Sequence, residues 1–307
     1  MKKVKVRIPA TVANLVCGFD ILGMAINDPY DEMEVALSDE PGIRIKHLDD
    51  YGLPEEPGKN VAGVALQSLM VAHGGPIGFD LLVKKHIKPG SGLGSSAAAA
   101  AGAVVAANHL RGNCFSREQL VGFAMNGEEL ASGAKHADNI APCIYGGITL
   151  IRSVAPLDIT TIAAPPLFVT VIHPQIEIKT SEARKILPQN VPLKDAIRQW
   201  GNVAGLVSGL FKNDYALIRR SLEDIIIEPV RSKLIYGFDH LKKNCMAAGA
   251  MGGGISGSGP SVFMLSETES IAKQVEIEMK GIYIGSGIEF KTYVTVLNNE
   301  GVKLMAE

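Results

Sequence analysis

Cysteine, an excess of either charge and long apolar runs are all scarce in this chain, and each shortage excludes something. The four cysteines, Cys17, Cys114, Cys143 and Cys245, are scattered, with no CxxC and no nearby pair of histidines. That disfavours a disulfide framework and a zinc site, and it fits reduced thiols in a cytosol. Thirty Lys and Arg stand against 32 Asp and Glu, a formal net charge of −2. With no basic excess or Lys/Arg stripe, no nucleic acid partner is expected. No run reaches 18 apolar residues, so no membrane partner is expected either. The opening MKKVKVRIPA has the lysines of a signal peptide. From Lys3 to Ile8, however, it alternates charged and branched apolar residues, the pattern of a half-buried strand. A cytoplasmic protein is expected.

What is present is an ordinary globular composition, 47% hydrophobic and 20% charged over 307 residues. Such a chain can bury a sizeable core in one large or two medium domains. Strands are expected near 3–8, 32–37, 43–47, 79–83 and 167–172. The segment after the first strand, ATVANLVCGFDILG, reads as irregular. A helix over 61–72 has Asn60 as cap, and another starts at Ser116, where Ser116 and Gln119 form a capping box. Further helices are expected over 181–187, 195–211 and 215–224. GGGISGSGP (252–260) reads as a second glycine loop. Strands and helices mix without a βαβ rhythm, so the class is α+β. Proline clusters place a boundary near 155, giving domains 1–155 and 156–307.

The most informative stretch is PGSGLGSSAAAAAG, residues 89–102. Successive N–H groups in a glycine loop, followed by a helix N-terminus, make an anion site. A plain turn before a helix explains most glycine pairs, but here three spaced glycines, two hydroxyls and a strong helix former coincide. Gly92-Leu93-Gly94-Ser95-Ser96-Ala97 formally matches a dinucleotide fingerprint, yet the following strand and acidic residue are missing. No lysine follows Gly94, which excludes a Walker loop. A phosphate loop that is neither Rossmann nor Walker remains, with Ser95 or Ser96 able to reach a metal.

PGSGLGSSAAAA is similar to the central motif of the small-molecule kinases that include galactokinase, homoserine kinase, mevalonate kinase and phosphomevalonate kinase. VRIPATVANLVCGFD (6–20) and ISGSGPSVF (255–263) resemble that family's first and third motifs, in the expected order. ATVANLVCGFDILG, SGAKHADNIAP, TSEARKILP and EPVRSKLI resemble its homoserine-phosphorylating branch. One departure is Val16-Cys17, where the first motif usually carries Gly-Pro.

The resemblance implies a two-domain fold of mixed sheets with helices packed on one side, an N-terminal nucleotide domain and a tendency to form homodimers. It implies ATP and Mg2+, with L-homoserine as acceptor. Pro89, Gly90, Ser91, Gly92, Leu93, Gly94, Ser95, Ser96 and Ala97 would hold the phosphates, with Asn60 beside the adenine. Ser96 and Glu128 would hold the metal; the adjacent Glu129 points about 100° away on a helix. An amino-acid acceptor suits the rest on chemical grounds. Arg184 and Arg231 offer guanidinium forks for a carboxylate, and Asp20 and Asn14 offer acceptors for an ammonium. His136 and Thr180 would line the acceptor. Asp138 is a tempting general base, but the resemblance gives the hydroxyl to Asn139, and an amide cannot act as a base. Asp138 is therefore read as structural.

Overall fold

The computed structural model describes residues 2–305. In chain order the first half runs β1 (Lys3–Ala13), β2 (Leu22–Ser38), β3 (Gly42–His47), α1 (Val61–His73), β4 (Gly78–Lys84), α2 (Ser95–Leu110), α3 (Arg117–Ser132), α4 (Ile140–Tyr145), β5 (Ile148–Val154) and β6 (Leu157–Ile162). The second half runs β7 (Phe168–Pro174), α5 (Thr180–Lys185), α6 (Leu193–Lys212), α7 (Tyr215–Ser221), α8 (Glu228–Arg231), α9 (Phe238–Ala247), β8 (Gly252–Ile255), β9 (Val262–Ser266), α10 (Glu269–Tyr283), β10 (Phe290–Val296) and β11 (Lys303–Leu304).

Two sheets result. The first has the order β11-β1-β2-β4-β3, with the β5–β6 hairpin joined to the start of β2. Only β3 and β4 pair in parallel there. The second is antiparallel, β10-β7-β9-β8. Helices α1, α2 and α3 pack together, with α2 against β1 and β2, while α9 and α10 pack with the second sheet. The alanines of α2 are buried almost all round; their small side chains let the helix lie at the centre of the first layer.

Local signals set most of this. The Asn60 side chain accepts from the N–H groups of Ala62 and Gly63 and caps α1. Ser116 and Gln119 form the reciprocal box that starts α3. Three expectations need correction. The stretch after the first strand is not all irregular: β1 continues to Ala13, with a register shift between Pro9 and Ala10 where Asn27, Asp28 and Pro29 of β2 bulge out of the pairing. β2 begins at Leu22, ten residues before the expected strand. Gly252–Ile255 is a strand, not a loop. A Cβ on Gly253 would lie 2.0 Å from the Phe263 carbonyl oxygen, so glycine permits a close pairing that a turn-based reading misses. Residue 155 sits in the tight turn of the β5–β6 hairpin, and both strands belong to the first sheet. By sheet membership the chain changes halves at 163–167. It crosses back at the end, where Leu304 pairs with Val6.

Candidate active site

A cleft of about 440 Å3 lies between the halves and gathers the residues singled out above, a size usual for a small-molecule site. Its first wall is the loop before α2. Gly90, Gly92 and Gly94 have φ of +73°, +78° and +69°, a region that strongly favours glycine. Space also demands glycine. A Cβ on Gly92 would lie 2.6 Å from the Ser256 carbonyl oxygen, and one on Gly94 would lie 1.9 Å from Thr11 Oγ1. The loop's carbonyls are held from behind. Ser256 Oγ donates to the Gly92 carbonyl at 2.7 Å, and Ser261 Oγ to that of Ser91 at 2.7 Å. Thr11 N–H donates to the Leu93 carbonyl at 3.2 Å. With carbonyls turned to the scaffold, the loop is shaped to present N–H groups to an anion. Gly94, the N-cap of α2, supplies no side-chain cap, so the helix N-terminus is open to a phosphate.

The two serines divide. Ser95 Oγ is turned inward to the Ile87 carbonyl at 2.7 Å, whereas Ser96 Oγ donates to Glu128 Oε2 at 2.6 Å. Burial pushes the Glu128 carboxyl up to about 7, only partly countered by Ser96. Two hard oxygens side by side, one on a carboxylate destabilised by burial, suit Mg2+, which takes few protein ligands and keeps waters. Among the described residues no larger His/Cys/Asp/Glu cluster offers a rival metal site. Behind the loop, Lys85 Nζ donates to Asp31 Oδ2 at 2.5 Å and to the Ser95 carbonyl at 3.0 Å. Asp31 Oδ1 in turn accepts from the N–H groups of His86 and Ile87. This buried pair fixes the strand that enters the loop.

The second wall carries charged side chains. Arg184, on α5, grips Asp20 with both nitrogens: Nη2 is 2.8 Å from Oδ1 and Nη1 is 3.0 Å from Oδ2. The residues expected to take opposite ends of an amino acid thus take each other. His136 Nδ1 stands 3.9 Å from Asp20 Oδ1, and burial lowers its pKa. Arg231, buried on α8, donates to the carbonyls of Ala183 and Gly257, each at 3.1 Å. Both guanidiniums lie over the Phe19 ring, at 5.3 Å and 5.0 Å. Asn14 accepts from Asp20 N–H and donates to the Gly257 carbonyl; it ties the β1–β2 turn to the β8–β9 turn. Thr180 Oγ1 lies 3.3 Å from Ser258 Oγ across the cleft mouth. At the floor, Thr11 Oγ1 donates to Asn139 Oδ1 at 2.8 Å. Asp138 is buried beside them, and burial, with Asp20 and Glu128 nearby, pushes its carboxyl up to about 7.

Comparison with known proteins bears directly on this cleft. Residues 60–147 match the GHMP kinases N terminal domain, and residues 206–283 match the GHMP kinases C terminal domain. The homoserine kinase of Chlorobium phaeobacteroides is 43% identical over 99% of this chain and 100% of its own. That of Chlorobaculum tepidum is 42% identical over 100% of this chain and 99% of its own. The crystal structure of homoserine kinase from Cytophaga hutchinsonii superposes with a TM-score of 0.95 at 45% identity, covering 99% of this chain and 98% of that one. The chain belongs to the homoserine kinases of the GHMP kinase family. A GHMP kinase is a phosphotransferase that uses ATP. The mevalonate kinase of L. major, 16% identical with a TM-score of 0.73, shares the fold.

In this GHMP kinase the cleft brings together the loop, Ser96, Glu128, Asn14, Asp20, His136, Asn139, Thr180, Arg184 and Arg231. Asn60 stands apart. Its amide is engaged with α1, the Pro54 carbonyl and His47, and it is Val61 and Leu53 that line the cleft. Sequence reasoning missed Thr11, Phe19, Lys85, Ser256 and Ser261. All but Lys85 lie inside the first and third motifs, so their positions were marked although their partners were not. Lys85 left one trace, a lysine at an inward position directly after the exposed Lys84.

Proposed function

We propose that this chain transfers the γ-phosphoryl group of ATP to the side-chain hydroxyl of L-homoserine, giving O-phospho-L-homoserine on the route to threonine. The observation that carries the reading is the Asp20–Arg184 pair, set across one cleft from the glycine loop. An α-amino acid is a zwitterion. Its carboxylate can replace Asp20 on the Arg184 fork while its ammonium replaces Arg184 on Asp20, so neither half-buried charge is left unpaired. His136 and Arg231 flank that exchange, and Phe19 holds both guanidiniums in place.

The triphosphate lies along the loop from Pro89 to Ala97, its charge met by backbone N–H groups and the α2 terminus. Ser96 and Glu128 would hold a magnesium ion, whose chemistry would be to neutralise phosphate charge. Because Thr11 takes the carbonyl end of Asn139, the amide Nδ2 is the end that donates to the acceptor hydroxyl. The hydroxyl oxygen bonds to the γ-phosphorus as the bond to the bridging ADP oxygen breaks, and the hydroxyl proton leaves with the new phosphate. Rate comes from alignment and charge stabilisation, without a protein base. Asp138, at a carboxyl pKa near neutrality and packed under Gly23, is a structural member of the floor. The enzyme works in the cytoplasm as a homodimer; among the described residues no helix is long and apolar enough to cross a membrane.

The test is ADP release by the purified chain with ATP and either L-homoserine or mevalonate, which has the same kind of hydroxyl but no ammonium. Homoserine is expected to be the strongly preferred acceptor. A preference for mevalonate overturns the reading.

A further inference from the structure

Helix α6 has two finished faces. Its inner face buries Gln199, Leu206, Gly209 and Leu210. Its outer face carries Leu193, Ile197, Trp200, Ala204, Val207 and Phe211, at alternating spacings of four and three. That is the seam of a two-helix coiled coil, sustained over the whole helix. In the monomer it faces solvent: Leu193 is 67% exposed, Ile197 56%, Trp200 61% and Phe211 74%.

We infer that this seam is the contact between two copies of this chain, with the two α6 helices antiparallel about a twofold axis at Asn202. The side chains themselves point to a second copy. Counted outward from Asn202, Trp200 meets Ala204, Ile197 meets Val207, and Leu193 meets Phe211. The largest residue faces the smallest, and a branched aliphatic faces another. A twofold interface requires this self-complementarity, whereas a foreign partner does not. The same register brings Lys212 of each copy within one turn of the other copy's Asp195, so the ends of the seam are charge-matched.

Size agrees. A 20-residue helix is about 30 Å long. The two aromatics alone expose roughly 200–340 Å2, at 150–250 Å2 each when whole. Monomers rarely leave more than a few hundred Å2 of contiguous apolar surface uncovered. A stable dimer needs about 800 Å2 on each partner. Alongside, a groove of about 790 Å3 between α6 and the β5–β6 hairpin, walled in part by Leu150, Ile162, Val207 and Phe211, extends the apolar surface.

The interface would also brace the acceptor wall. On the opposite face of α6, Gln199 Nε2 donates to the Cys17 carbonyl at 2.9 Å and to Asp224 Oδ1 at 3.0 Å. Cys17 belongs to the turn that presents Asp20. Asp224 accepts from the N–H groups of Ile226, Ile227 and Glu228 and so anchors the start of α8, which carries Arg231. This part rests on the proposed acceptor site; the assembly itself does not.

Trp200 is the only tryptophan, so its fluorescence reports the seam alone. Sedimentation of the full chain should give a dimer. On dilution the mass should halve as Trp200 emission shifts to the red. Ile197→Glu should raise the dissociation constant roughly thirtyfold or more, with an unchanged circular dichroism spectrum, and Ile197→Leu should retain the dimer. Leu193→Glu serves as a second disrupting variant should Ile197→Glu not fold. A chain that is monomeric at every concentration overturns the proposal. So does a dimer that survives both glutamate variants with Trp200 still exposed, since another face must then make it. In the monomeric variant, homoserine KM should rise several-fold while ATP KM holds. Unchanged KM values with a lost dimer would remove the bracing role and leave the interface.

Discussion

The two walls of the cleft are built by opposite means. On the wall proposed for the phosphates, backbone groups would do the binding, and the three left-handed residues of the loop are all glycines, Gly90, Gly92 and Gly94. On the wall proposed for the acceptor, side-chain charges would do it. The left-handed residues there are Asn14, Leu15, Val16 and Asp20, at φ of +76°, +41°, +65° and +63°. A β-branched residue such as Val16 is a genuine outlier in that region. The phosphate wall needs no strained residue, since glycine adopts its left-handed positions freely. The acceptor wall holds left-handed residues and pairs its own charges, Asp20 with Arg184, which in the proposed reading a ligand of matching charge exchanges with. A common phosphate donor can use a fixed cradle, whereas selection among small alcohols needs groups that are costly to leave unpaired.

The sharpest way to break that contrast is to remove the carboxylate that accepts from Ser96 on the phosphate wall. Glu128→Gln keeps an oxygen beside Ser96 but loses the charge, and turnover with saturating ATP and homoserine should fall by about two to three orders of magnitude. The same variant tests the burial of Glu128. The folded carboxyl sits at about 7 against an ordinary 4.5. Between those values the folded chain binds more protons than the unfolded one, so free-enzyme stability falls as pH rises through that window. Nucleotide-free Glu128→Gln should therefore melt a few degrees above the parent at about pH 8, with the two converging near pH 4.5. A melting point at pH 8 no higher than the parent's would contradict the assignment. On the acceptor wall the effect is smaller and one-sided. Arg184→Lys keeps the charge but loses the fork, and homoserine KM should rise about ten- to hundredfold while ATP KM stays unchanged. Equal rises in both would mean the walls are not separable. Smallest is the strain itself. Val12→Gly, in β1, should cost about 3 kcal/mol in urea unfolding. Val16→Gly, equally buried, should cost about 1–2 kcal/mol less, because it releases a left-handed valine. Equal costs would show that the turn carries no strain.

The phosphate wall was the more legible in sequence, for the same reason. Glycine, small hydroxyls and an alanine helix are local signals, and their order along 89–102 is the geometry. Capping residues such as Asn60 and Ser116 were legible too, since each acts within three residues. The acceptor wall depends on meetings across the fold. Asp20 and Arg184 were each identified, but nothing local says they grip one another 164 residues apart. Ser95 and Ser96 looked equivalent until the direction of each hydroxyl was seen. The strand Gly252–Ile255 was hidden because its glycines serve a close approach rather than a turn. The hairpin turn at Pro156 mimicked a domain boundary because a tight turn and a linker use the same residues.

The two serine hydroxyls behind the glycine loop, Ser256 and Ser261, come from the far end of the chain. A protein emerges from the ribosome N-terminus first, so the nucleotide cradle is complete in sequence long before it is complete in space. A polypeptide that stops between the end of the glycine loop and Ser256 carries the whole phosphate motif but lacks the two hydroxyls that hold the Ser91 and Gly92 carbonyls. The shape of the loop is therefore set by contacts whose partners lie more than 160 residues apart in the chain.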